Sequence, residues 1–192
     1  YYNFEGNCKN SVDGGYDGVG INEPKFVEGM NGTKAIRFVT SDESYMNVPE
    51  SMIDTYYYTL SFWVKGISDG HIFHVASSGS YGVSDGMLMK GGQLVYMQNG
   101  YSLMYHLAYD TGNDLSHVQF SADEWTHVVI TVSIERYVSE IVCLYINGAL
   151  VDRQAIDNCT YNDIGNGTKF IFGGPYSKAT GATMTFDNLR IY

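Results

Sequence analysis

The sequence predicts an all-β fold, a two-sheet antiparallel β-sandwich, and three observations carry that expectation. Short segments alternate apolar with polar side chains, which is the period of a strand with one face in a core. Clusters of Gly, Asn and Asp separate them, the clearest being Asn147-Gly148, because both central residues of a type I′ hairpin turn take positive φ. No stretch has the period of a long amphipathic helix, and 22 Gly and 17 Tyr among 192 residues suit many strands joined by tight turns.

In chain order, Tyr2 and Phe4 point to one face of a first strand, with Asn3 and Glu5 on the other. Cys8 to Met30 shows no sustained period and reads as a long loop. Ile36 and Phe38 alternate with Arg37, and Met46 and Val48 with Asn47, before Pro49 ends the run. Tyr58, Leu60, Phe62 and Val64 form a regular strand with Thr59, Ser61, Trp63 and Lys65 opposite. His71 to Ala76 is another strand, followed by a loop over 77–86. Met87 to Lys90 and Gln93 to Gln98 form a hairpin about Gly91-Gly92, and 102–109 and 115–120 have strand character.

The most informative stretch is Glu124 to Gln154. Val128, Ile130, Val132 and Ile134 alternate with polar or small partners, and Ile141 to Ile146 returns through Asn147-Gly148 into Ala149–Gln154. Val129, Ile141 and Cys143 put apolar groups on the second face, so these strands are expected to be central and covered on both sides. In the last strand Phe186, Leu189 and Ile191 break alternation. A bulge near Asp187-Asn188 would return all three to the core and re-aim the Asp187 carboxylate. No repeat or linker divides the chain, so residues 1–192 are expected to form one domain.

The segments EWTHVVITV and VCLYINGALVDRQ, with YNFEGN, KAIRFVTSDESYMNVP, YTLSFWVKG and the closing MTFDNLRIY, resemble in order the laminin-G-like jelly rolls of the concanavalin A-like lectin/glucanase superfamily. The resemblance runs from Tyr2 to Tyr192 and is specific for fold rather than function, since the fold hosts lectins, carbohydrate-binding modules, adhesins and some glycosidases. It implies that a structural calcium ion ties the first acidic turn to the terminal strand. The matching positions are Glu5 and Asn7, the backbone around Gly32–Lys34, and Asp187, with Glu5 standing where an aspartate is common. It also implies that Trp63 and Trp125 are structural, and that His127 is the family's strand histidine.

Charge and motifs narrow the function. A formal net charge of −10 argues against nucleic acid, whose binding is driven by cations that neutralise phosphates, and against anionic membranes. No apolar run approaches the ~20 residues of a membrane span, so no membrane insertion is expected. The chain boundaries read as those of a module from a larger secreted or cell-surface protein. Cys8, Cys143 and Cys159 have no metal-like spacing. Cys143 reads as a free, buried thiol, and Cys8 and Cys159 sit in loops where pairing stays open. Asn31, Asn158 and Asn166 open N-x-Thr motifs.

Catalysis is not expected. Retaining glycosidases need two carboxylates roughly 5–5.5 Å apart. Asp42 and Glu43 are adjacent and would face opposite ways on a strand, while Glu135 and Glu140 fall in the break between strands. No G-x-S-x-G, H-E-x-x-H or phosphate loop occurs. His71 and His74, three apart, are expected on opposite faces, and with His106 and His117 they read as hydrogen-bonded sheet residues.

Tyrosine remains. Sugar rings present C–H faces on which aromatic side chains stack, with amides and carboxylates reading hydroxyls. Tyr96, Gln98, Asn99, Tyr101, Tyr105 and Tyr109 gather in one segment, and Tyr81 and Tyr176 sit in loops. The expected function is therefore non-catalytic glycan binding, with a polysaccharide such as a plant glucan as partner. The alternative is a protein-interaction or adhesion module, which an exposed apolar patch without convergent polar groups would favour. A glycoside hydrolase is the third reading, and two facing carboxylates in a cleft would revive it.

Overall fold

The computed structural model describes residues 1–48, 57–76, 83–91, 93–98, 120–135, 139–157, 169–174 and 181–192. Its strands are β1 Val19–Ile21, β2 Lys25–Glu28, β3 Lys34–Phe38, β4 Tyr45–Val48, β5 Tyr58–Lys65, β6 Gly70–Ala76, β7 Val83–Lys90, β8 Gln93–Gln98, β9 Thr126–Glu135, β10 Ser139–Ile146, β11 Ala149–Asp157, β12 Lys169–Phe172 and β13 Met184–Ile191. They build two antiparallel sheets, one in the order β1-β4-β12-β6-β7-β8, the other β11-β10-β9-β5-β13-β3-β2. The sandwich expected from the sequence is the fold.

Alternation decides which side chains fill the space between the sheets. Along β5, Tyr58, Leu60, Phe62 and Val64 are buried and the intervening residues half-buried. The inner faces meet through aromatic rings. Tyr58 sits edge-on to Phe170 at 5.6 Å, and Phe186 stacks on Phe62 at 4.5 Å while meeting Phe172 at 5.9 Å.

The Asn147-Gly148 turn has φ of 50° and 82°, the two positive values a type I′ turn requires. The bulge in the last strand also forms. Asp187 opposes Trp63 and Arg190 opposes Ser61, so β13 spends one residue more than β5, and Asn188 takes φ 52°. Phe186 and Leu189 are consequently both fully buried and Ile191 packs against the core.

Four expectations are corrected. The 8–30 segment is not all loop, since β1 and β2 lie within it as edge strands whose exposure erases the alternation that would announce them. β7 starts at Val83, inside the expected 77–86 loop. The β9–β10–β11 group is central and covered on both sides only in part. β9 and β10 are interior strands and Ile141 is buried on the outer face, but β11 is an edge and Val129, Thr131, Ser133 and Cys143 are only half-buried there. Glu135 and Glu140 belong to β9 and β10 rather than to a break between them.

Candidate functional site

At the first turn the structure gathers most of the residues expected to hold calcium. Phe4 and Gly6 both take positive φ and turn the chain sharply, presenting Glu5, whose Oε1 accepts the Lys34 backbone N–H at 3.3 Å. The β13 bulge aims Asp187 at the same place from the opposite end of the chain. Its Oδ1 accepts the Asn188 N–H at 2.7 Å, and its Oδ2 accepts the Met30 N–H at 3.0 Å and the Thr33 hydroxyl at 3.5 Å.

Gly29 completes the cradle. A Cβ there would lie 2.8 Å from Asp187 Oδ2 and 2.9 Å from the Lys34 carbonyl oxygen, so no larger residue leaves both oxygens room. Burial pushes the Asp187 carboxyl above its ordinary range, with the like charge of Glu5 adding to it, against the lowering by the Met30, Asn188 and Thr33 donors.

Carboxylate and carbonyl oxygens are the donors that hard cations take, and here Asp187 Oδ2 and the Lys34 carbonyl lie together beside Gly29 while Glu5 sits on the Lys34 N–H. No group of three His, Cys, Asp or Glu side chains converges among the described residues, so the remaining ligands would be carbonyls and water. Asn7 stands apart, its Oδ1 accepting the Lys9 N–H at 2.8 Å and its Nδ2 reaching the Glu5 carbonyl. Thr33 was expected only through its backbone and adds its hydroxyl, while Met30 was missed, although the Gly29…Gly32-Thr33 spacing marks a tight polar turn there.

His71 and His74 share one region instead of opposite faces. Opposing registers jump from His71↔Leu88 to Phe73↔Met87, so Ile72 is an extra residue that resets the parity. Both imidazoles are buried and meet edge-on at 5.6 Å. Burial lowers the pKa of each, that of His74 to about 3 with a contribution from the charge of His71.

Most tyrosines proposed to stack on sugar lie outside the described residues, namely Tyr81, Tyr101, Tyr105, Tyr109 and Tyr176, as do Asn99, Cys159, His106, His117, Asn158 and Asn166. Tyr96 and Gln98 belong to β8, opposing Met87 and Asp85. Cys8 has a free thiol that burial raises to about 11, and Cys143 is free and half-buried rather than buried.

Apart from Tyr16 in the 8–18 segment, the exposed aromatic residues among those described gather on the outer face of the seven-stranded sheet along β5. Trp63 is half-buried and stacks on His127 at 4.9 Å, and Ser61 Oγ meets His127 Nε2 at 3.0 Å. Trp125, also half-buried, lies under the Lys65 ammonium at 4.8 Å, and Arg190 covers the Tyr1 ring at 5.0 Å. Thr59 exchanges two backbone hydrogen bonds with Tyr192, which is 71% exposed, and Tyr57 just before the strand is 55% exposed. The tryptophans are thus not core residues. Trp63 alternates with the buried set, and the pleat turns it outward.

The sequence matches a laminin-G-type family model described as the concanavalin A-like lectin/glucanases superfamily, over residues 40–192. No curated protein matches the chain. Among solved structures it is similar to domain 4 of an extracellular arabinanase from Geobacillus stearothermophilus, a structure in complex with arabinotriose (TM-score 0.72, 17% identity, 100% of this chain and 89% of that one). It is also similar to an endo-β-1,4-glucuronan lyase from the fungus Trichoderma reesei (0.62, 13%, 100% and 94%). A third likeness is to the binding domain of botulinum neurotoxin DC in complex with SialylT (0.57, 14%, 92% of this chain but 42% of that one).

Proposed function

This chain belongs to the concanavalin A-like lectin/glucanase superfamily, and we propose that it is a non-catalytic glycan-binding module of a larger extracellular or cell-surface protein. The observation that carries the reading is the β5 face. A half-buried indole ordered by its stack on His127, with the Ser61 hydroxyl next along the same face and Thr59 and Thr131 farther on, offers what a sugar needs: an apolar ring for its C–H face and hydroxyls for its rim. An indole already ordered by His127 loses little freedom on binding.

The end-to-end likeness to a single domain of an extracellular arabinanase supports a role as an appended module. The Glu5 and Asp187 carboxylates are engaged by the backbone N–H groups of Lys34, Met30 and Asn188, which suits a structural rather than a catalytic use. Calcium held there by Glu5, Asp187 and the Lys34 carbonyl would neutralise two carboxylates that otherwise repel, and would tie the chain's two ends together.

Native affinity electrophoresis over arabinan, glucan, xylan, mannan and pectin tests the reading. Retardation on one class, lost in Trp63→Ala with the melting temperature kept, is the expected result. Retardation on none of these polymers would refute polysaccharide binding.

A further inference from the structure

The cations of this acidic protein are not scattered at random over its sheets. Cross-strand registers place Lys25 opposite Arg37, Arg37 opposite Thr185, and Thr185 opposite Lys65, so three cationic residues lie in one row across β2, β3, β13 and β5. Residues directly opposite share a face, and Lys65 alternates with the buried Val64, so the row is on the outer face. Arg190, opposite Ser61, adds a cation farther along β5.

Lys25 is neutralised by Asp42 at 3.2 Å, whereas Arg37, Lys65 and Arg190 have no carboxylate at ion-pair distance among the described residues. Each of the three is held by an uncharged group. Arg37 Nη1 donates to Thr185 Oγ1 at 3.3 Å, Lys65 rests on Trp125 and Arg190 on Tyr1. Asp187, the carboxylate in the Trp63 row, is fully buried and engaged by Met30 and Thr33 in the turn before β3.

From this arrangement we infer that the outer face along β5 takes an anionic glycan, a chain carrying uronic-acid residues, with Trp63 under a sugar ring and Arg37, Lys65 and Arg190 receiving its carboxylates. The inference rests on the glycan-binding reading and adds the charge class and the residues that select it. Lys65 and the Arg190–Ser61 pair are four residues apart on β5, roughly 13 Å, and Arg37 is two strands from Lys65, roughly 10 Å. The cations therefore bracket Trp63 at distances suited to successive acid groups on one oligosaccharide. Arginine offers carboxylates a paired hydrogen bond, and the cations are already ordered, so little freedom is lost when they bind. The formal net charge of −10 of the whole chain opposes broad polyanions such as nucleic acid or a membrane surface, which would extend beyond the strip.

The test compares polygalacturonate with its fully methyl-esterified form, in which the backbone is kept and the charge removed, by affinity electrophoresis and calorimetric titration of the intact chain. We expect binding of the acid form at least tenfold tighter than of the ester, weakened by added salt. A Lys65→Gln/Arg190→Gln variant should lose that preference while its melting temperature stays within a few degrees. Equal affinity for acid and ester, or a preference unchanged in the double variant, would overturn the charge assignment and leave glycan binding standing. Retention by anionic vesicles or sulfated polymer, with none by polygalacturonate, would overturn the uronic-acid assignment. Failure to bind any neutral or acidic polymer would overturn both readings together.

Discussion

Asp187 is a fully buried carboxylate whose two oxygens take hydrogen bonds from Met30, Asn188 and Thr33. Truncating it orphans at least two backbone N–H donors, each costing roughly 1–3 kcal/mol when buried. Asp187→Ala should therefore destabilise the fold by about 2–4 kcal/mol in urea denaturation. Asp187→Asn, which keeps an acceptor, should cost less. The buried imidazoles make a different prediction. Burial lowers both pKa values, so below about 6.5 the unfolded chain takes up protons that the native His74 refuses until about pH 3. Stability is thus fully present above that range and is lost as pH falls through it, by up to about 1.4 kcal/mol per pH unit for each proton. His74→Leu should flatten the acid limb of the stability profile, and an unchanged limb would show that other groups set it. Asp187 acts in the opposite sense, since a raised carboxyl pKa favours the native state as pH falls.

At the scale of elements, two backbone features fix where side chains go. The Asn147-Gly148 turn sets Ile146 opposite Ala149 and Tyr145 opposite Leu150, and a bulge at Val151 then shifts the register so that Leu144 faces Asp152 and Val142 faces Gln154. The β13 bulge keeps Phe186 and Leu189 in the core and Asp187 in the turn at once, which a regular strand cannot do. Where chains approach most closely, glycine is obligatory. A Cβ on Gly181 would come within 1.8 Å of the Gly173 carbonyl oxygen, beside the bridge from His71 to Gly181. Gly181→Ala should displace that junction and cost more than about 4 kcal/mol, or prevent folding. Ala at Gly32, where nothing lies within 4 Å of a Cβ, meets only the penalty of its φ of +82° and should cost about 1 kcal/mol. A thermal-denaturation comparison of the two variants separates close approach from conformational strain.

Across the whole molecule, the first and last segments are joined by the Tyr2–Leu189 bridge, by the Tyr1 hydroxyl on Asn188, and by Asp187 reaching Met30. A calcium ion between Glu5 and Asp187 would strengthen that closure by mass action, with about 2.7 kcal/mol at a hundredfold excess over its dissociation constant. Millimolar calcium should raise the melting temperature by several degrees, chelator should reverse the rise, and Asp187→Asn should abolish it. No shift in either direction would remove calcium from the account of this fold.

What the sequence determined by itself was local. Alternation identified β5, β9 and β10, the Asn-Gly pair identified the hairpin, and the broken period of FDNLRI identified the bulge, because each is set by neighbours two to four residues apart. The edge strands β1 and β2 and the start of β7 escaped, since exposed or short strands carry no apolar period. Only the tertiary structure decided that the outer face of β5 stays accessible, that His71 and His74 meet, and that Arg37, Lys65 and Arg190 share one surface with Trp63. These depend on strand order and on bulges that reset parity, bringing together residues far apart in the chain. No local pattern of side chains encodes such neighbours, because they exist only after both sheets have closed on the core.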